Sequence, residues 1–209
     1  MEIRPHVHSY DLEWEYDEPL SVHVVDADGE TVLFGGGSAD TADALATVAT
    51  DHDVDVVVVE HGDGDHFGGI PALREVVPDI DVAVPAGDAT FLEEADIDVD
   101  HELAAGETYW GVETIAAPGH TPDNMAYLYG DVLIAGDTVV AASSMFAAER
   151  DWSGPLAVIT ADFNADDEQT KASVSTLLDH EFDTVLVTHG ENVETGGKEA
   201  VETLVDDLR

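Results

Sequence analysis

VVVVEHGDGDHFGG, residues 56–69, joins a run of β-branched residues to a cluster of histidines and aspartates. The run is short, continuous and apolar, which is typical of a strand covered on both faces. The cluster places four residues of metal-ligating types within six positions: His61, Asp63, Asp65 and His66. Imidazole and carboxylate suit zinc, iron and manganese, and the glycines between them allow tight turns. The stretch therefore predicts a metal site at the end of a buried strand.

Three further loops carry the same residue types, each beside a strand-like run. They are Pro118-Gly119-His120-Thr121-Pro122, Gly136-Asp137-Thr138 and Thr188-His189-Gly190. Ligands at strand ends are held by the sheet, which keeps their geometry fixed. One such loop alone is better explained as an ordinary loop, whereas four in one chain favour a common metal centre.

Taken in order, the four blocks resemble the metallo-β-lactamase fold superfamily. The family pattern is His-x-His-x-Asp-His followed by Gly-Gly, then Pro-Gly-His-Thr, Gly-Asp and a final His-Gly. The resemblance covers roughly residues 20 to 205. It implies an α/β fold, an αββα four-layer sandwich formed as a single domain over residues 1–209, with a metal pair at one edge of two facing sheets.

The resemblance also implies a ligand set. One metal ion would be held by His61, Asp63 and His120, and a second by Asp65, His66 and His189. Asp137 would bridge the two ions. Asp65 and Asp137 are the residues that we expect to act in catalysis as well as in binding.

Position 63 departs from the family pattern, which has a histidine there. That histidine typically binds through Nδ1, three bonds from Cα, and an aspartate Oδ atom is equally far from its Cα. Asp63 can therefore reach nearly the same point. The exchange makes the centre less positive and adds a hard oxygen ligand, which shifts metal preference toward iron or manganese.

A second departure is FGGGSAD at residues 34–40. The family commonly has Asp-x-Gly here, and the aspartate supports the metal ligands. This chain has glycines instead, so the supporting role has no evident candidate in the sequence.

The composition limits the class of protein. The chain has 209 residues with 47 Asp and Glu against 6 Lys and Arg, a formal net charge of -41, and no cysteine. It is too rich in aliphatic residues for a disordered acidic chain, so we expect a folded protein adapted to molar salt, where like charges are screened. Nucleic-acid binding needs clustered cations and is not expected. The N-terminus lacks an apolar secretion signal and no stretch is long enough for a membrane span, which makes the cytoplasm the simplest location.

The function implied by the resemblance is metal-dependent hydrolysis. Two divalent metal ions, most simply zinc, with iron or manganese as the other choices, would provide a hydroxide that attacks a small ester, thioester or lactone. An alternative is a diiron oxidoreductase related to the flavodiiron metal domain, which has an acidic residue at the position of Asp63. That branch uses Glu and needs an attached flavodoxin domain. A further alternative is a non-catalytic relic with an impaired metal site.

Local patterns predict the elements around these loops. We expect a hairpin turn at Asp26–Gly29, a helix capped by Ser38, a β-meander over 107–135, and helices over about 166–179 and 195–208 that flank a strand at 184–190. The segment between Asp137 and His189 should line the cleft. Arg150 is its only cation apart from Lys171, which falls on a predicted helix, so the sequence gives little support for a clamp on an anionic substrate. Large aromatic residues are expected mainly to fill the core: Trp14, Tyr16, Trp110, Phe146 and Trp152.

Overall fold

The structure, a computed structural model, describes residues 1–209 and contains two facing β-sheets. In the first sheet the strands lie side by side in chain order, antiparallel from β1 to β4 and parallel from β4 to β7. They are β1 (Glu2–Arg4), β2 (Val7–Leu12), β3 (Leu20–Ala27), β4 (Glu30–Phe34), β5 (Val56–Val58), β6 (Asp81–Pro85) and β7 (His101–Leu103).

The second sheet is built from the later part of the chain. Its strands are β8 (Thr108–Tyr109), β9 (Val112–Ala116), β10 (Met125–Tyr129), β11 (Val132–Ile134) and, beyond a small hairpin, β14 (Thr184–Leu186). β14 pairs in parallel with β11, and the remaining pairs are antiparallel. The small separate hairpin is formed by β12 (Val140–Ala141) and β13 (Leu156–Ala157).

Helices cover the outer face of each sheet. Those of the first half are α1 (Ala42–Asp51), α2 (Gly64–Phe67), α3 (Ile70–Val76) and α4 (Ala89–Glu94), and those of the second half are α5 (Asp167–Thr176) and α6 (Gly197–Leu208). No helix has the length and apolar character needed to span a bilayer.

The side chains of β5 show how the first sheet is buried on both faces. Val56 and Val58 belong to the apolar cluster between the two sheets, whereas Val57 packs in the cluster beneath α1 and α3. Successive residues of a strand point to opposite faces, so a strand covered on both sides must be apolar throughout. The continuous apolar run before His61 is therefore a buried strand, as the sequence predicts.

The two sheets pack directly against each other, and the second sheet is covered in turn by α5 and α6. Phe34 of the first sheet and Tyr127 of the second lie with ring centroids 5.0 Å apart in the central cluster. On the far side, Leu133 of β11 shares a cluster with Val174 of α5 and Leu204 of α6. The layers thus run helix, sheet, sheet, helix, and the expected αββα sandwich is confirmed.

Most local predictions agree with the structure. The hairpin between β3 and β4 turns at Asp28 and Gly29, whose φ angles of 51° and 90° are those of a two-residue turn with positive φ. The β-meander and both late helices are present. The prediction that Ser38 caps α1 is wrong: its hydroxyl donates to Asp40 instead, and a short 3₁₀ turn at Ala39–Thr41 precedes the helix.

Candidate metal centre

The four predicted loops meet at one edge of the sandwich. The first sheet contributes the loop after β5 and the short helix α2, and the second sheet contributes the loops after β9, β11 and β14. The structure brings all seven expected residues together there: His61, Asp63, Asp65, His66, His120, Asp137 and His189. Their binding of a metal ion remains a prediction.

All four imidazoles direct Nε2 into the cluster. On one side, His120 Nε2 lies 3.1 Å from His61 Nε2 and 3.0 Å from Asp63 Oδ2. On the other side, Asp65 Oδ2 lies 3.3 Å from His189 Nε2 and 3.9 Å from His66 Nε2. The ligand atoms within each trio lie within 4.8 Å of one another, so each trio could surround one ion.

Asp137 lies between the two trios. Its Oδ1 atom is 3.6 Å from His66 Nε2, and its Oδ2 atom is 3.4 Å from His189 Nε2 and 3.6 Å from His120 Nε2. A carboxylate with oxygen atoms near both trios has the position that a bridging ligand needs. Asp137 is also buried, so few other partners can reach it.

The chemistry of the cluster fits divalent cations. His66 Nε2 and Asp137 Oδ1 are buried without a hydrogen-bond partner, which is costly for a polar atom. The facing Nε2 atoms of His61 and His120 can share at most one proton. A cation among the imidazoles and carboxylates would satisfy these atoms together, and the ligand types match zinc, iron or manganese.

The carboxylates set the charge of the imidazoles. Burial lowers the pKa of His189, but Asp137 and Asp65 outweigh it and raise that pKa to about 9. Burial likewise opposes protonation of His66, and the same two carboxylates raise its pKa well above the usual value. Burial would raise the pKa of Asp137, yet His189 and His66 hold it well below its usual range. The carboxylates therefore favour positive charge at His66 and His189, whereas burial and the neighbouring imidazoles hold the pKa of His61 well below its usual value.

A carboxylate that the sequence did not single out supports His66 from outside the cluster. Glu60 is buried, and its Oε2 atom lies 3.1 Å from His66 Nδ1. A Cβ atom at Gly35 would lie 3.1 Å from Val22 Cγ1 and 3.7 Å from Glu60 Oε1, so the Glu60 carboxylate lies next to position 35. Glu60 is thus a candidate for the supporting role that FGGGSAD leaves without a carboxylate. In the sequence, the feature that could have pointed to Glu60 was a charged residue at the end of an otherwise apolar strand.

Other polar residues hold the ligand loops in place. Asn164 Oδ1 lies 3.3 Å from His120 Nδ1. Asp88, fully buried, accepts hydrogen bonds from the Gly62 backbone N–H at 2.9 Å and from the Thr121 hydroxyl at 2.5 Å. Neither residue carries a recognisable signal in the sequence, because both act through contacts between distant loops.

The centre opens into a cavity of about 590 Å³. Trp14, Tyr16 and Phe146 line it, so the expectation that they fill the core is wrong for these three. Trp110 and Trp152 do pack against buried apolar clusters. The segment after Asp137 contributes to the lining as expected, through Phe146, Ile159, Phe163 and His189.

Arg150 has no place in the cavity wall. Its guanidinium lies 5.2 Å from the centroid of the Trp152 ring, a cation–π contact that holds it elsewhere. Arg150 therefore lies outside the cavity, which agrees with the little support that the sequence gives for a clamp on an anionic substrate.

Comparison with protein families and solved structures is consistent with this geometry. The family model described as the metallo-beta-lactamase superfamily matches residues 17–189. Among solved structures, a metallo-beta-lactamase from Pontibacter korlensis superposes with a TM-score of 0.73 at 19% identity, covering 100% of this chain and 97% of that one. FIM-1 from Pseudomonas aeruginosa in its mono-zinc form gives a TM-score of 0.70 at 16% identity over 99% and 94% of the chains. Identities this low show the fold alone.

Curated relatives match over shorter stretches. A hydroxyacylglutathione hydrolase from Yersinia pestis is 35% identical over 105 residues, which is 49% of this chain and 41% of the relative. One from Stenotrophomonas maltophilia is 28% identical over 120 residues, 56% of this chain and 44% of the relative. The chain thus spans less than half the length of these relatives.

Proposed function

Because the chain belongs to the metallo-β-lactamase superfamily, we propose that it is a binuclear metal-dependent hydrolase of small esters, thioesters or lactones. The observation that carries the proposal is the division of the ligand atoms into two trios with Asp137 between them. One ion would be held by His61, Asp63 and His120, and the other by Asp65, His66 and His189.

When bound, two divalent ions lower the pKa of water and polarise the acyl oxygen of a substrate. The residues of the chain would hold the ions and orient the groups that bind them. Asp137, whose pKa lies well below its usual range because His189 and His66 outweigh its burial, stays a carboxylate at neutral pH and serves as a ligand. Trp14 stacks on His189 with ring centroids 5.7 Å apart, which limits the rotation of that imidazole.

The net reaction adds water across an acyl bond. The acyl carbon gains an oxygen from water, its bond to oxygen or sulfur breaks, and the leaving alcohol or thiol takes up a proton. The partial similarity to hydroxyacylglutathione hydrolases supports placing thioesters first among the substrates to be tested. Zinc is the metal that we expect first, with iron or manganese favoured more than usual by the Asp63 oxygen.

The test is metal content by elemental analysis, on protein purified in high salt without an affinity tag, followed by assays with ester, thioester and lactone substrates. We expect two zinc or manganese ions per chain and hydrolysis of at least one substrate class. Asp137→Ala should lose metal and activity, because it removes the carboxylate between the trios. Asp43→Ala, an exposed carboxylate on α1, is the matched control. A fully metallated and active Asp137→Ala variant would contradict the site assignment.

One observation favours a second function. Asp63 Oδ2 does reach the cluster, 3.0 Å from His120 Nε2, and gives the first trio a hard oxygen ligand. A diiron oxidoreductase is therefore the second candidate. Two iron ions per chain together with reduction of dioxygen or nitric oxide would support it, whereas zinc as the only metal that restores activity would exclude it. No bound metal even after metal is supplied would instead indicate a relic.

A further inference from the structure

We propose that the cavity selects uncharged substrates with an aromatic acyl group and discriminates against anionic ones. The inference rests on the proposed hydrolase function and specifies its substrate class. Two features of the cavity wall carry it: a continuous set of aromatic rings beside His189, and an excess of carboxylates with no Lys or Arg among the lining residues.

The aromatic wall consists of Trp14, Tyr16, Phe146 and Phe163. Neighbouring rings are in contact: the centroids of Trp14 and Tyr16 are 4.7 Å apart, those of Tyr16 and Phe146 5.3 Å, and those of Phe146 and Phe163 5.8 Å. Tyr16 and Phe163 are nevertheless 42% and 52% exposed. Contiguous exposed aromatic surface inside a cavity is typical of a binding site for an apolar group.

The aromatic wall extends to the ligand cluster. Phe146 lies 4.6 Å from His189 between ring centroids, and Trp14 stacks on the same imidazole at an interplanar angle of 24°. A planar group packed on this wall would therefore lie next to the trio of Asp65, His66 and His189. Aromatic rings stack favourably in offset or edge-to-face contacts, which gives an aromatic acyl group an advantage over a small aliphatic one.

The charge of the cavity disfavours anions. Five carboxylates line it: Glu15, Asp40, Asp63, Asp65 and Asp137. Two divalent ions would bring four positive charges, fewer than the negative charges of the wall. An anionic substrate is usually held by Arg or Lys, and neither lines this cavity.

Every Lys and Arg of the chain makes its contacts away from this cavity. Five make ion pairs and the sixth lies over an aromatic ring: Arg4 with Asp183, Arg74 with Asp100, Lys171 with Asp167, Lys198 with Glu181, Arg209 with Asp206, and Arg150 over Trp152. Glutathione thioesters carry a net negative charge. The cavity is therefore poorly matched to them, although relatives of the chain are glutathione thioester hydrolases by name.

The experiment compares four thioesters with the metal-loaded protein in molar KCl. Phenylacetyl groups are attached to N-acetylcysteamine, which is neutral, to glutathione, which is anionic, and to thiocholine, which is cationic; acetyl-N-acetylcysteamine is the aliphatic control. We expect kcat/KM for phenylacetyl-N-acetylcysteamine to exceed those for the glutathione and acetyl thioesters by about tenfold or more. Equal or faster hydrolysis of either would overturn the inference, as would a tenfold preference for the thiocholine ester.

Two variants test the two features separately. Phe163→Ala, at an exposed ring, should lower kcat/KM for the phenylacetyl thioester more than for the acetyl one, whereas Val76→Ala, an exposed apolar residue outside the cavity, should change neither. Asp40→Lys should raise kcat/KM for the glutathione thioester several-fold by placing a cation in the wall.

If neither variant changes the ratios, the inference fails while the hydrolase function stands. If a fully metallated protein hydrolyses none of the thioesters, esters or lactones, the proposed function itself fails.

Discussion

At position 60 a carboxylate ends an otherwise apolar run and points back to the Nδ1 atom of His66, 3.1 Å away. A carboxylate at that distance fixes which imidazole nitrogen carries the proton, and leaves Nε2 free to bind an ion. Glu60 is only 1% exposed, so in the intact protein solvent does not compete with it for His66 Nδ1. A single side chain outside the ligand set therefore determines the orientation of one ligand.

We expect Glu60→Ala to weaken metal binding by roughly 10- to 100-fold, because His66 loses its hydrogen-bond acceptor. Glu60→Gln should lose much less, since the amide oxygen can still accept from Nδ1. Competition with a chelator of known affinity measures both constants. The role assigned to Glu60 is wrong if the alanine variant folds and binds metal as tightly as the parent.

The pKa of His189 predicts how the affinity for metal should change with pH. Burial opposes protonation, but Asp137 and Asp65 raise the pKa to about 9, so the metal-free protein holds this proton at neutral pH. An ion must displace it, so apparent affinity should increase as pH rises toward 9 and protons should be released on binding. Calorimetric titration in buffers of different ionisation enthalpy counts the protons. Binding at neutral pH without proton release would contradict the expectation.

At the scale of elements, Asp88 connects two ligand loops that come from different sheets. It lies in the 3₁₀ turn between β6 and α4, and accepts from Gly62 beside His61 and from Thr121 beside His120. Both bonds go to the same oxygen, Oδ2, while Oδ1 is buried without a partner. The relative position of the loops of the first trio thus depends on one acceptor atom.

We expect Asp88→Ala to destabilise the fold by about 1–3 kcal/mol and to weaken metal binding, because two buried donors lose their acceptor. Asp88→Asn can keep an oxygen in the same place and should be close to the parent. Urea unfolding in high salt measures the first effect and chelator competition the second. Equal stability of the alanine variant and the parent would show that the link has no energetic role.

Features that depend on neighbouring residues in the chain could be predicted from the sequence. The ligand loops each carry their own residues beside glycine, and the apolar run before His61 already specifies a strand buried on both faces. The aromatic wall could not be foreseen, because Trp14 precedes β3 and Phe146 follows β12, and only the packing of the sheets brings their rings within 6.0 Å. Ser38 fits the pattern of a helix cap, but its hydroxyl donates to Asp40 and accepts no backbone N–H of the 3₁₀ turn that begins there.

At the scale of the whole molecule, the main feature is repulsion between the many acidic residues. A formal net charge of -41 creates repulsion over the whole surface, because only five Lys and Arg residues form ion pairs with the 47 acidic residues. The Debye length falls from about 10 Å at 0.1 M salt to about 3 Å at 1 M. We therefore expect the folded state to gain stability in concentrated salt.

We expect the melting temperature to rise between about 0.1 M and 1 M KCl, since screening relieves repulsion in the folded state. Each kcal/mol gained should raise Tm by roughly 2–4 °C for a chain of this size. Thermal unfolding followed by circular dichroism measures it, with sucrose as a control that stabilises without screening. A Tm independent of salt would argue against a halophilic surface.

The division of the ligands between the sheets links metal acquisition to the order of folding. His61, Asp63, Asp65 and His66 belong to the first sheet, and His120, Asp137 and His189 to the second. Neither trio is drawn from one sheet alone, so the first trio forms only when the two sheets have docked, and the second only when β14 has joined as well. During synthesis the ion would enter after the sandwich closes. Once bound, the ion would stabilise the packing of the two sheets against each other, so that the sheets could not separate without releasing the metal.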